Sequence, residues 1–228
     1  MGNVGVFSFG RVKSERCPNK MLRPFAETTL TDIVLSKLEP LRDAGYMTFF
    51  AGLEDEFRDK CEDHRIQFVR RDEKSAVIDG ALTGILSFLR EVDSEYFLIV
   101  SACGPFLKAE TIRAFLDECT SNGYESAISV MARKTFFIDL DRSPLNFEVS
   151  SNSLNTKTVR PVYEIAHQLY FFNRNYFFEN GMYWDWANVN FVELETGLET
   201  LDIDTEEDFW MAEQLWKARQ LENASIVS

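Results

Sequence analysis

The chain has 228 residues, of which 37 are acidic and 24 are basic, so its formal net charge is −13 at pH 7. Binding to nucleic acid needs a surplus of Lys and Arg, and this composition argues against it. Apolar residues make up 45% of the chain, which indicates one globular domain over 1–228 rather than disorder. The chain lacks a signal-peptide pattern and an apolar run of about 18 residues, so we expect a cytoplasmic protein that does not enter membranes.

Strands and helices alternate along most of the chain. Thr29 and Asp32 form a capping box for the first helix, and Gly45 marks its end. The alternation predicts an α/β fold with a largely parallel sheet. The predicted strands cover 3–9, 46–51, 66–69, 96–101, 125–131, 168–173 and 189–194. The predicted helices cover about 30–44, 53–63, 74–92, 109–121, 174–180 and 205–221.

Residues 134–165 interrupt this alternation. They combine short extended pieces, a polar stretch (SSNSLNTKT) and two prolines. We interpret them as an arm inserted into the domain, either a hairpin or a dimerisation arm.

A basic loop follows the first strand. Ligands of open α/β sheets bind beyond the carboxyl ends of the strands, where this loop lies. Gly10 and Ser14 allow backbone N–H groups to approach an anion. The composition favours a polyphosphate ligand, with a solvated charged loop as the alternative; neither a GxxxxGK[ST] nor a GxGxxG motif is present. Its cations are Arg11, Lys13, Arg16, Lys20 and Arg23.

A pair of aspartates precedes the last helix. Asp202 and Asp204 are separated by one residue, so in extended backbone they share a face and can converge on one divalent ion. Thr205 and Asp208 form the cap of the helix. Hard carboxylate oxygens suit Mg²⁺, which also bridges substrate phosphates. The alternative is an acidic loop at a helix start.

Together these two segments resemble the CMP-sugar synthetases, which include the acylneuraminate cytidylyltransferases and the CMP-Kdo synthetases. Arg11, Ser14, Arg16 and Lys20 match the first signature of that family, and LDIDTEEDFWMAEQLW resembles its C-terminal metal segment. The resemblance implies a Rossmann-like three-layer α/β/α nucleotidyltransferase and a homodimer formed through the arm. It also implies Mg²⁺ bound by Asp202 and Asp204.

The chain departs from the family at specific positions. The first loop starts Phe9-Gly10-Arg11 instead of Pro-Ala-Arg, and Cys103 stands where the Kdo branch has a metal-binding Asp. The acylneuraminate branch has Asn-Gly-Ala-Ile-Tyr at its sugar site, whereas this chain has AHQLY over 166–170. The segments that resemble the family's nucleotide-binding and metal-binding motifs are therefore kept, whereas the segment at the acceptor site differs from the family.

The resemblance implies transfer of CMP from CTP to a small anionic acceptor, an acidic sugar of the nonulosonate (sialic-acid-like) type, with release of pyrophosphate. Phosphate or phosphonate acceptors, and a non-catalytic nucleotide-binding homologue, are the alternatives. The implied catalytic residues are Arg11, Lys20 and Asp204. The implied nucleotide-binding residues are Arg11, Ser14, Arg16, Lys20, Arg71 and Ser75.

The divergent acceptor segment supplies the remaining candidates. Arg160, His167 and Gln168 are predicted to bind the acceptor, with a structural histidine as the alternative for His167. Cys103 has no visible catalytic partner, so we interpret it as a structural thiol. The aromatic residues between Tyr170 and Trp186 are interpreted as core or dimer contacts.

Overall fold

A computed structural model describes residues 2–76, 80–149 and 155–227. Seven strands form one sheet in the order β3-β2-β1-β4-β6-β5-β7. The strands are β1 (Val4–Phe9), β2 (Met47–Gly52), β3 (Gln67–Arg70), β4 (Tyr96–Val100), β5 (Ser126–Arg133), β6 (Val162–Asn173) and β7 (Asn190–Glu193).

The sheet is parallel except at one strand. β1 pairs in parallel with β2 and β4, β2 with β3, and β5 with β7. β6 lies between β4 and β5 and runs antiparallel to both. The predicted mostly parallel α/β sheet is therefore confirmed.

Hydrophobic side chains cover both faces of the sheet. Successive residues of a strand point to opposite faces. Val6 accordingly belongs to one buried cluster, with helix residues such as Leu35, while the next residue, Phe7, belongs to another. The Phe7 ring stacks on Phe49, with centroids 4.9 Å apart. These two cores give the three-layer arrangement that the sequence predicts.

The helices are α1 (Leu30–Asp43), α2 (Asp55–Asp63), α3 (Leu82–Ile85), α4 (Ala109–Asn122), α5 (Arg174–Asn180) and α6 (Glu206–Val227). Both predicted capping boxes form: the Asp32 N–H donates to Thr29 Oγ1, and the Asp208 N–H donates to Thr205 Oγ1. Within the described ranges, none of these helices combines the length and apolar character needed to cross a bilayer.

The long helix predicted over 74–92 is wrong. Among its described residues, only α3 and a 3₁₀ helix over Ser87–Glu91 are helical. The Arg71 guanidinium donates to the carbonyl of Ile85 at 3.3 Å, and the Leu89 N–H bonds to Leu86 instead of Ile85. A buried side chain from outside the segment thus takes a carbonyl that an α-helix would use, and the segment tightens into 3₁₀ geometry.

The inserted segment is shorter than the predicted 134–165 arm. β6 begins at Val162, and its first four residues pair with the end of β5. Asn146 ties the described part of the arm together: its side-chain amide donates to the carbonyls of Thr135 and Arg160, each at 2.8 Å. Residues 150–154 of the predicted arm lie outside the described residues.

Candidate active site

A cavity of about 400 Å³ opens at the carboxyl end of β1. The basic loop, the end of β3, the loop after β4 and the aspartate segment before α6 all reach it. Its lining consists of Phe9, Gly10, Arg11, Ser14, Glu15, Arg16, Lys20, Met21, Arg71, Leu82, Ile85, Cys103, Tyr183 and Asp204. Six predicted site residues, from three separate stretches of sequence, therefore line one cavity.

Gly10 is required where the chain enters this cavity. Its N–H donates to the Ala51 carbonyl on β2 at 3.0 Å. A Cβ at this position would lie 2.9 Å from the Phe50 ring, which is buried. Only a residue without a side chain lets the loop leave β1 so close to β2.

Two cations of the loop contact Asp204. Arg16 Nη2 lies 3.0 Å from Asp204 Oδ2, and Lys20 Nζ lies 3.7 Å from Oδ1. Lys20 also donates to the Ile203 carbonyl, so its ammonium is fixed beside the aspartate segment. The Arg16 and Asp204 side chains are 67% and 46% exposed, so solvent screens their ion pair and leaves both groups accessible to a ligand.

Arg71 is buried at the opposite wall. It donates to the carbonyls of Gly10 and Ser75 and lies over the Phe9 ring, 5.2 Å from its centroid. Burial, reinforced by repulsion from Arg11, lowers the pKa of Arg71 to about 10. The guanidinium therefore stays charged at neutral pH and presents positive potential to the cavity.

Asp202 and Asp204 flank a buried residue. Ile203 is fully buried and its N–H donates to the Cys103 carbonyl at 3.0 Å, so the aspartates on either side face away from the core. Burial, followed by repulsion from Asp204, raises the pKa of Asp202. Asp202 accepts from the Ser101 hydroxyl, and Asp204 pairs with Arg16 and Lys20.

The aspartate pair fits a hard divalent cation. Two carboxylates separated by one residue provide hard oxygen ligands and favour neutralisation by a cation. In the described ranges, no cluster of three or more His, Cys, Asp or Glu is placed to hold a metal. A Mg²⁺ ion with two protein ligands completes its shell with water and substrate phosphate oxygens, so the pair suffices.

Cys103 lines the cavity without the character of a nucleophile. Burial raises the pKa of its thiol to about 11, although Lys20 acts in the opposite direction. The thiol therefore stays protonated at neutral pH.

The loop that carries Cys103 is anchored by a buried lysine. Lys37 on α1 donates to the Gly104 carbonyl at 2.6 Å, and burial lowers its pKa to about 7. The Ser101 N–H donates to the Gln168 carbonyl, and the Ser101 hydroxyl to Asp202 at 3.4 Å. The loop thus links α1, β6 and the aspartate segment.

Five predicted site residues are not part of the cavity lining: Asp202, described above, and Ser75, Arg160, His167 and Gln168. Ser75 is buried, and its hydroxyl donates to the Asp72 carbonyl at 3.0 Å. Gln168 is fully buried against Gly104. Arg160 is exposed, in the segment that the Asn146 amide holds.

His167 is exposed, beside the aspartate pair. Its φ is +54°, in the left-handed region, and its Nδ1 lies 2.5 Å from Tyr170 Oη. The next residue, Gln168, accepts the Ser101 N–H, and the Ser101 hydroxyl donates to Asp202 at 3.4 Å, so this part of β6 lies beside the aspartate segment.

The comparisons with known proteins agree with this geometry. The MobA-like NTP transferase domain family matches residues 11–177, which is most of the chain. The chain belongs to this family. It is a nucleotidyltransferase, as the sequence predicts, and its basic loop opens the matched region.

Two solved structures show how widely the transferase fold is shared. CMP:2-keto-3-deoxy-manno-octonic acid synthetase, complexed with CTP, is 12% identical with a TM-score of 0.69, over 95% of this chain and 99% of that chain. The 4-diphosphocytidyl-2C-methyl-D-erythritol synthase of Anaerococcus prevotii is 14% identical with a TM-score of 0.61, over 94% and 98%. No curated protein matches the chain in sequence.

The cavity lining includes residues that the sequence did not predict for the candidate site. Tyr183 follows α5 and lines the cavity, whereas the sequence suggested a core or dimer contact. Leu82 and Ile85 also line it, because the segment predicted as one long helix folds back over Arg71. The one available signal was the run of aromatic residues around Tyr183, which a buried core explains equally well.

Proposed function

We propose that this transferase is a CTP-dependent cytidylyltransferase that forms a CMP-linked acidic sugar. An oxygen of the acceptor attacks the α-phosphorus of CTP and forms a new P–O bond. The bond from the α-phosphorus to the bridging oxygen breaks, and pyrophosphate leaves. The proton of an attacking hydroxyl passes to solvent, and an acceptor that is already an anion has none to lose.

The observation that carries this proposal is the convergence of cations in the cavity. Arg11, Arg16, Lys20 and Arg71 reach it from two separate loops, together with the acidic Asp204. A cavity of about 400 Å³ lies within the usual range for small-molecule sites. Its position beyond the carboxyl ends of parallel strands is the common location for nucleotides in such sheets.

The loop residues hold the triphosphate in this proposal. Arg11 and Arg16 offer forked N–H donors, Lys20 a point charge, and Ser14 a hydroxyl. They neutralise the charge that develops on the leaving pyrophosphate. Arg71, with Ser75 bracing its guanidinium through a backbone carbonyl, forms the wall on the side of the nucleotide base.

Asp202 and Asp204 are the proposed Mg²⁺ ligands. An ion held there would supply neutralisation of phosphate charge. The protein holds the two carboxylates ready through the Ile203 backbone bond to Cys103 and the Ser101 hydroxyl. Arg16 and Lys20, which contact Asp204 in this structure, would contact the phosphates in this proposal.

The acceptor is proposed to bind near His167, with Arg160 and Gln168 as further candidates from the divergent segment. An acidic sugar is the first candidate, because the resemblance is strongest to synthetases that use such sugars. Phosphate and phosphonate acceptors are the alternatives, and the proposed function includes a homodimer formed through the arm.

Pyrophosphate release with CTP and Mg²⁺ tests the function. We expect release above background with at least one acceptor among sialic-type sugars, Kdo, sugar phosphates and phosphonates. ATP, GTP and UTP are the matched nucleotide controls. The proposal is overturned if no acceptor supports turnover and calorimetry detects no CTP binding in Mg²⁺.

Lys20→Ala is predicted to weaken CTP binding. Loss of one charged hydrogen-bond partner costs about 1.5–3 kcal/mol, which corresponds to roughly a 10- to 100-fold higher Kd by calorimetry. Lys13→Ala is the matched control, because Lys13 is an exposed cation of the same loop outside the cavity lining. Equal affinity in the two variants would contradict the assignment of Lys20.

Asp204→Asn is predicted to abolish most turnover while the protein stays folded. We expect kcat to fall by about 100-fold or more, because metal ligation supplies several kcal/mol of transition-state stabilisation. Asp204 is 46% exposed, so the thermal midpoint should change little. Glu207→Gln, at an exposed neighbour on α6, should keep wild-type turnover. An Asp204→Asn variant with wild-type kcat would remove the metal assignment.

A further inference from the structure

β6 carries a large bulge beside the loop after β4. From Ile128 to Val130 the β5 strand advances two positions, whereas its partner β6 advances five, from Tyr170 to Ile165. The extra length is accommodated around His167. The buried Ser129 hydroxyl accepts the Leu169 N–H at 3.0 Å, so a side chain replaces a lost ladder bond. Bulges of this kind re-aim a side chain next to a functional site.

The residue that this bulge presents is His167. It adopts a left-handed conformation, which is uncommon for a residue with a side chain. Such strain persists only where the surrounding structure imposes it, and here the bulge and the Ser129 bond do so. The ring is exposed, and its neighbour Gln168 accepts the N–H of Ser101, whose hydroxyl donates to Asp202 at 3.4 Å. The bulge therefore presents His167 next to the aspartate segment.

Tyr170 determines how the ring is held. Its hydroxyl oxygen lies 2.5 Å from His167 Nδ1, and its own ring stacks on Trp184 with planes 4° apart. Burial raises the pKa of Tyr170 well above its usual range, so the phenol keeps its proton. Among the described residues, Nδ1 of His167 is the acceptor placed for that proton, so the network assigns a Tyr170 O–H···Nδ1 bond and puts the ring proton on Nε2.

The Nε2–H group of His167 can donate a hydrogen bond to a ligand. In the part of the chain that the structure describes, no carboxylate lies within ion-pairing distance of the His167 ring. A neutral N–H donor at the rim of an acidic pair suits an oxyanion that a nearby divalent cation also attracts.

We propose that Tyr170 is a positioning residue that fixes the Nε2–H tautomer of His167, and that this Nε2–H group donates a hydrogen bond to an anionic oxygen of the acceptor. The part of this inference that concerns the acceptor rests on the proposed function. The part that concerns the tautomer of the His167 ring does not. The shared chemistry of the ligand is an oxyanion, either the carboxylate of an acidic sugar or a phosphate or phosphonate group.

Nitrogen NMR of the intact protein tests the ring. The chain has two histidines, so His64, which lies against Glu39 on another part of the surface, is an internal control. At about pH 8, where imidazole is neutral, wild-type His167 should show Nε2–H with a hydrogen-bonded Nδ1. Tyr170→Phe should shift the Nδ1 resonance of His167 and leave His64 unchanged. A wild-type Nδ1–H tautomer, or an unchanged His167 spectrum in Tyr170→Phe, overturns the inference.

Two substitutions of His167 distinguish a role in binding the acceptor from a role in the left-handed backbone conformation. Gln places an amide N–H near the position of Nε2, whereas Asn places one near Nδ1 and suits a left-handed backbone better. With the acceptor that supports turnover, we expect His167→Gln to keep the acceptor KM within about 3-fold and His167→Asn to raise it roughly 10-fold. Tyr170→Phe should raise it about 2- to 10-fold, with the KM for CTP unchanged throughout.

The opposite ranking, with Asn better than Gln, would show that the position serves the backbone and would overturn the inference. N-acetylneuraminate, a sugar phosphate and methylphosphonate, compared as acceptors, distinguish the carboxylate from the phosphorus oxyanions. Failure of the proposed function is recognised separately, since the wild-type protein would then turn over none of them, while the NMR result still decides the state of the ring.

Discussion

At the scale of single residues, Lys37 is the buried charge that supports the site. Its ammonium donates to the Gly104 carbonyl, and burial lowers its pKa from 10.5 to about 7. Between these two values the unfolded chain holds the proton more tightly than the folded chain does. The free-energy cost of burying the Lys37 ammonium therefore applies in full below about pH 7. This cost declines as the pH rises toward 10.5, so the folded protein becomes more stable over that range.

Lys37→Met is predicted to remove a pH dependence of stability. The wild-type free energy of unfolding should gain up to about 1.4 kcal/mol per pH unit from Lys37 as the pH rises from 7 to 9. Urea unfolding at several pH values measures the difference between the two proteins, which isolates this contribution from other groups. Lys13→Met, at an exposed lysine, should keep the wild-type slope. The same slope in Lys37→Met would show that Lys37 stays charged in the folded protein.

At the scale of elements, local signals predict much of the fold. Capping boxes, a stop glycine and continuous apolar runs are encoded within a few residues, and α1, α6 and β4 form accordingly. The helix expected over 74–92 fails because its competitor, the Arg71 guanidinium, comes from outside the segment. The β6 bulge cannot be predicted from local sequence either, because Ser129, which bonds to Leu169 in the bulge, lies 40 residues away from it along the chain.

The candidate site also contains some residues that local sequence predicts and others that it does not. Arg11, Arg16, Lys20 and Asp204 were predictable, because charged loops at the carboxyl ends of parallel strands share one edge of the sheet. Tyr183 and the placement of Ser75 and Gln168 were not, because packing against distant residues decides them.

Ser129→Ala is predicted to destabilise the protein through the bulge. It leaves the Leu169 N–H buried without its hydroxyl partner, which costs about 1–3 kcal/mol of unfolding free energy. Ser126→Ala is the matched control: the residue is buried on the same strand, and its hydrogen bond from Asn190 involves only the backbone carbonyl. Urea denaturation compares them, and equal losses would mean that the Ser129 hydroxyl does not hold the bulge.

At the scale of the whole molecule, the location of charge matters more than its sum. The chain carries −13, yet its cavity is lined by four cations drawn from two loops. The acidic excess lies elsewhere, apart from Glu15 and the Asp204 carboxylate that faces those cations. A negative protein can thus present a site for a triphosphate, while its overall charge still argues against nucleic acid.

The arm is predicted to form a homodimer. It exposes apolar side chains that a monomer leaves in water, including Leu140 at 103% and Val149 at 81%. Light scattering should give twice the chain mass of 26.4 kDa. Leu140→Asp should shift the mass toward the monomer, whereas Trp210→Asp, at an exposed aromatic residue on α6, should not. A monomeric wild-type protein at micromolar concentration would contradict the prediction.

The contacts that complete the cavity join the two ends of the chain. Lys20 bonds to Ile203, and Arg23 to Glu206, each across 183 positions. During synthesis the basic loop leaves the ribosome well before the aspartate segment does. A ligand that contacts both segments can bind only after both have emerged. Under the proposed function, the binding energy of CTP would stabilise this long-range closure of the fold, so the nucleotide would act as a folding partner as well as a substrate.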